Sequence, residues 1–255
     1  PYGFRFVTRS RGPKDLDSKV SATSGTYFLG GRPGIGKTSL LHPWMAYLQQ
    51  QGKHRFLFAS AEQTHQEIVT DAAGFNLSDV IGEVPILITQ DVNEIFAEAD
   101  ELDAEIVFID SINKMGDSLY DTRDSGTNKI ITTQRIVADG MGCEVIFGTR
   151  VDARGKTVET RKRSEPIPGK SHRLYIVISQ VNADDEVHGA IESLHEVTGV
   201  FTMNDVPGYK SHRMVWAEGK NRAGATGVCA YFTMGKRGLE ECDNPLEEDE
   251  QEVRR

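Results

Sequence analysis

The chain has 255 residues, 38% of them hydrophobic and 26% charged, enough for one large folded domain and unlike a collagenous, mucin-like or wholly disordered chain. Its longest apolar stretches, such as 106–109 and 174–178, fall far short of the roughly 18 residues that a membrane-spanning helix needs. With 29 Lys and Arg against 38 Asp and Glu, the net charge of −9 gives no bulk sign of nucleic-acid binding, although eight of the acids crowd between Glu240 and Glu252.

Short apolar runs then alternate with longer amphipathic ones, the pattern of a parallel sheet with crossover helices. Strands are predicted at 27–29, 55–59, 85–89, 105–110 and 173–180, with helices at 37–51, 64–73, 91–102 and 128–139. The segment 143–150 reads as a further strand. From Arg150 to Arg173 there are eight cations (Arg150, Arg154, Lys156, Arg161, Lys162, Arg163, Lys170 and Arg173) against three acids, and Pro166 and Pro168 break any helix. The stretch 142–172 is therefore expected to be a hairpin plus a mobile basic loop. After Gly189, strand-like runs at 199–203, 212–218 and 228–234 are separated by turn signals at Pro207-Gly208, Gly224 and Gly227, which predicts an antiparallel edge on the same sheet. From Glu240 onward apolar residues nearly vanish, and a disordered acidic tail over 240–255 is expected.

Cys143, Cys229 and Cys242 are odd in number and form no Cys-x-x-Cys pair, which argues against both a disulfide framework and a structural zinc site. Reduced thiols and the lack of a basic, apolar, small-residue order near residue 1 lead to the expectation of a cytoplasmic protein.

The strongest chemical signal is Gly31-Arg32-Pro33-Gly34-Ile35-Gly36-Lys37-Thr38, a full match to the G-x-x-x-x-G-K-[ST] phosphate loop, followed by Ser39. A strand precedes it and a helix follows, so its backbone N–H groups can cradle phosphates where the helix dipole favours an anion. Lys37 is expected to reach the β- and γ-phosphates of ATP and Thr38 to ligate Mg²⁺. The metal's carboxylate is expected from Asp110, which ends the apolar strand Ile106-Val107-Phe108-Ile109 at the carboxyl edge of the sheet. Glu62 follows a strand at the same edge; its position alone leaves open whether it activates water or faces a helix dipole.

In this order the motifs resemble the RecA-type ATPase core, most like the bacterial RadA/Sms DNA-repair ATPases. The resemblance lies in the run from Ser24 to Thr38, in Asp110-Ser111-Ile112, and in Lys220-Asn221-Arg222-Ala223-Gly224, which is similar to the family's Lys-Asn-Arg-Phe-Gly signature. It spans about residues 23–239 and implies a RecA-like three-layer α/β core, mainly parallel with an antiparallel carboxyl-terminal edge, forming one ATPase domain over 1–239 with a basic insertion near 142–172. It further implies that Glu62 is the catalytic base, that Gln180 senses the γ-phosphate, and that Lys220 and Arg222 reach a neighbouring subunit's nucleotide. The partners it implies are further copies of the chain, in a hexameric ring or a filament, and single-stranded or branched DNA along which the assembly moves; a membrane is not among them. Ala223 stands where the family has an aromatic residue, and the family's four-Cys zinc module and protease-like domain find no match within residues 1–255. Two other expectations stay open: a replicative DnaB-like helicase motor, and a nucleotide-gated interaction ATPase of the KaiC type that does not act on DNA.

Overall fold

The structure, a computed structural model, describes residues 25–117, 125–151, 153, 155, 157–180, 197–222, 227–235 and 238–246. Its centre is a nine-stranded sheet in the order β11, β10, β9, β8, β1, β7, β4, β2, β3. Strands β1 (Gly25–Gly30), β2 (Phe56–Ser60), β3 (Ile86–Ile88), β4 (Ile106–Asp110), β7 (Leu174–Ile178) and β8 (Gly199–Val206) run parallel. Strands β9 (Tyr209–Asn221), β10 (Gly227–Gly235) and β11 (Gly238–Cys242) extend the sheet antiparallel from β8. The 199–203 run, expected in the antiparallel edge, thus pairs parallel with β1 on one side and antiparallel with β9 on the other.

The central strands read as unbroken apolar runs because both faces of the sheet are covered. Their two-residue period sends Leu29, Phe58, Phe108, Ile176 and Ile178 to one face, where they pack with helices α1 (Lys37–Gln51), α2 (His65–Ala73) and α3 (Ser78–Ile81). Phe28, Leu57, Val107, Ile109 and Val177 face the other way, into a second core with α4 (Val92–Glu101) and α5 (Ser125–Gly140). Trp44 of α1 meets Phe108 edge-on, with ring centroids 5.3 Å apart. His42, also on α1, is buried with neither ring nitrogen hydrogen-bonded among the described residues, and burial pulls its pKa down to about 4, so the ring is neutral near pH 7.

The acidic tail needs a correction. Glu240, Glu241 and Cys242 belong to edge strand β11, because Leu239 is buried against the first core and the acids can stay half-exposed on an unpaired edge. Gly238 is the hinge of this docking. A Cβ there would lie 2.9 Å from the Ser39 carbonyl oxygen, the group left without its usual helical donor by Pro43, four residues on. Residues 247–255 lie outside the described residues.

The basic segment holds the expected hairpin: strands β5 (Cys143–Val151) and β6 (Thr157–Pro166) pair antiparallel as a separate two-stranded sheet. The pairing runs through Arg161 and Arg163, so the second strand takes in part of the basic run expected to be a loop. The ribbon is rooted at the amino ends of β4 and β7, where the Arg173 N–H bonds the Gly140 carbonyl and the Leu174 N–H bonds that of Glu105. No helix among the described residues is long and apolar enough to cross a membrane.

Candidate active site

The phosphate loop joins the buried β1 to α1 at the carboxyl edge of the parallel strands. Gly36 occupies the helix N-cap with φ +106°, a region closed to most side chains, and a Cβ there would press on Leu239 at 3.1 Å. Among the described residues no side chain caps α1, and its first turn carries no acid, so its free N–H groups and dipole are open to an anion.

Lys37 is buried, and its ammonium donates to the carbonyls of Gly31 at 2.6 Å and Arg32 at 3.0 Å. Burial pulls its pKa down, with the charges of Asp110 and Glu62 acting against that pull. The Thr38 hydroxyl donates to Asp110 Oδ2 at 2.6 Å. Burial raises the Asp110 pKa and the charge of Glu62 adds to it, while Thr38 and Lys37 oppose them. Two hard oxygen ligands side by side, one of them a buried carboxylate in need of positive charge, suit Mg²⁺ completed by phosphate oxygens and water.

Register brings the remaining groups to the same place. Ser60 pairs with Asp110 across β2 and β4, and the Ala61 N–H bonds the Asp110 carbonyl at 2.7 Å, which sets Glu62 beside the strand that ends in Asp110. The Ser111 hydroxyl donates to Glu62 Oε1. On the other side, the Ser179 N–H bonds Leu29 of β1, and the Asn113 side-chain oxygen accepts the Gln180 N–H at 2.8 Å. Pro33, Gly34, Gly36, Lys37, Thr38, Ser39, Glu62, Asp110 and Gln180 therefore line one cleft of about 280 Å³, together with Gln63, Asp71, Ser111 and Ile178. It can hold a nucleotide's phosphates against Lys37 and the loop, with a carboxylate positioned for an attacking water.

Four expected contributors sit otherwise. Ile35 buries its side chain in the first core, so only its backbone belongs to the loop. The exposed Arg32 side chain turns away to pair with Asp205. Arg222 and the backbone of Lys220 lie at the opposite end of the sheet. The Arg222 N–H bonds Thr198, whose own N–H bonds Thr26 at the start of β1, a whole strand of roughly 17–20 Å from Gly31. The Lys220 side chain and residues 223–226 are outside the described residues.

Lys170 and Arg173, two of the eight cations of the basic segment, are spent on groups inside the fold. Arg173 is buried and donates to the Ala104 and Ala99 carbonyls and to Asp139 and Asp100, and Lys170 pairs with Asp139 and Asp100. Arg163 pairs with Glu165 at 2.6 Å. The side chains of Arg150, Arg154, Lys156, Arg161 and Lys162 fall outside the described residues. Sequence reasoning missed Ser111 and Asn113, although polar residues just past the strand that ends in Asp110 were the available signal.

Strand order, phosphate loop and clustered carboxylates define a P-loop ATPase with a RecA-type core. Residues 27–149 match the ATPase family associated with various cellular activities (AAA). The DNA repair protein RadA of Brucella abortus (strain 2308) is 26% identical over 224 residues, covering 86% of this chain and 41% of that protein. The RadA of Chlamydia muridarum (strain MoPn / Nigg) is 23% identical over 247 residues, covering 94% and 46%. The chain thus spans less than half the length of these curated relatives. Among solved structures, a KaiC-like protein from Pyrococcus horikoshii OT3 superposes with a TM-score of 0.59 at 15% identity, over 86% of this chain and 89% of that one. An isolated ATPase domain gives 0.63 at 12% identity, over 86% and 85%.

Proposed function

We propose that this ATPase is a RadA-like DNA motor. It assembles as a hexameric ring or a filament and couples ATP hydrolysis to movement on single-stranded or branched DNA. Thr38 and Asp110 would hold Mg²⁺, whose charge would offset that of the nucleotide's phosphates. Lys37 leaves the Gly31 and Arg32 carbonyls for the terminal phosphates. Glu62 turns from Ser111 to take a proton from the attacking water, and Gln180, held through its backbone by Asn113, registers the γ-phosphate.

The observation that carries the assembly is the distance between the cleft and Arg222 of the Lys-Asn-Arg signature. Arg222 stands a full strand length from its own phosphate loop, so a finger role for Lys220 and Arg222 requires a second subunit. Mixing Lys220→Ala/Arg222→Ala subunits, inactive alone, with inactive Lys37→Ala subunits is expected to restore part of the turnover. One kind of interface then joins an intact phosphate loop to intact fingers. Mixed oligomers without any recovery would contradict the shared site.

A second reading, a nucleotide-gated interaction ATPase indifferent to DNA, is favoured by one observation: two cations of the basic segment, Lys170 and Arg173, are spent on internal carboxylates.

A further inference from the structure

The phosphate loop is held from outside by a residue that neither motif nor spacing singles out. Arg213, near the start of β9, has a side chain only 17% exposed, and its Nε donates to the Ile35 carbonyl at 3.0 Å. The same guanidinium donates to the carbonyls of Lys210 and His212, each at 2.9 Å, and pairs with Asp205 Oδ1 at 3.1 Å. Asp205 Oδ2 in turn pairs with Arg32 of the loop. The guanidinium is thus fixed by β9 and by the end of β8, and it presents one N–H to one loop carbonyl.

That carbonyl shares a planar unit with the Gly36 N–H. In a trans peptide the two groups point in opposite directions, so holding the Ile35 oxygen toward Arg213 turns the Gly36 N–H away from it. Gly36 lines the nucleotide cleft, and the Ile35 side chain is locked in the core, so the unit has no freedom to rotate about its neighbours. A cationic donor on the carbonyl also polarises the amide and strengthens its N–H toward an anion.

We propose that Arg213 is a positioning residue for the phosphate loop. It aims the Gly36 N–H at the nucleotide's phosphates, and Asp205 holds both Arg213 and Arg32 in place for that task. The inference rests on the loop being the phosphate site. A residue that merely stapled β9 to the loop would affect stability and leave the affinity for phosphates alone.

The test measures equilibrium binding of ATP and of adenosine to the full chain, with thermal unfolding as a parallel reading. Arg213→Met and Arg213→Gln both remove the cation, and either carries the test if the other does not fold. The expected result is an ATP Kd raised about tenfold, equivalent to about 1.4 kcal/mol, with adenosine affinity unchanged. Arg213→Lys should recover part of the loss, because an ammonium can still donate to the Ile35 oxygen while lacking the fork that also holds Asp205. Wild-type ATP affinity in folded Met or Gln variants overturns the proposal, and so does an equal loss for ATP and adenosine. Lys37→Ala serves as the control: if it too binds ATP normally, the phosphate-loop reading falls and this inference falls with it, whereas loss in Lys37→Ala alone overturns only the role of Arg213.

Discussion

Glu62→Gln is expected to bind ATP with near wild-type affinity and to lose turnover by about 100-fold or more, the usual contribution of a positioned general base. The amide keeps the size of the carboxylate and can still meet the Ser111 hydroxyl, so the β2–β4 edge stays as it is. It cannot accept a proton from water at neutral pH. Binding by calorimetry and turnover by phosphate release separate the two effects. Hydrolysis at the wild-type rate would remove Glu62 from the mechanism and leave it as a carboxylate at the mouth of the cleft.

Lys37→Ala is expected to abolish nucleotide-dependent activity through binding rather than through chemistry. The buried ammonium is the cation that both Asp110 and Glu62 act upon, and it is the charge closest to the loop carbonyls. On the proposed site, removing it takes away the partner of the terminal phosphates and leaves Asp110 more reluctant to ionise, which would also weaken its hold on Mg²⁺. The variant should therefore lose ATP affinity, where Glu62→Gln keeps it. Intact ATP binding in Lys37→Ala would place the phosphates elsewhere.

Much of this architecture is written locally in the chain. Helix α1 is found with its predicted bounds because a glycine-rich loop opens it, an apolar stripe runs through it and Gly52 closes it in the left-handed region. The strand ending in Asp110 is equally plain, since four apolar residues, three of them β-branched, run straight into the acid. Strand β11 escaped notice because its acids lie at the edge of the sheet, where hydrophobic patterning has little to act on. Arg173 looked like a free cation within a basic run, yet the fold brings Asp139 and Asp100 around it from two helices. Ser111 and Asn113 are adjacent to a recognisable motif and could have been inferred from it. The contact between Arg213 and Ile35 could not, because it depends on the pairing of β8 with β9, 178 residues along the chain from the loop.

A motor moving on DNA couples its ATPase cycle to the strand it holds. The most direct measurement is steady-state ATP turnover of the assembled protein with Mg²⁺, with and without single-stranded DNA. DNA is expected to raise the rate, with Glu62→Gln silent under both conditions. An assembled, ATP-hydrolysing protein whose rate is the same with and without DNA would contradict it and leave the nucleotide-gated interaction ATPase in its place.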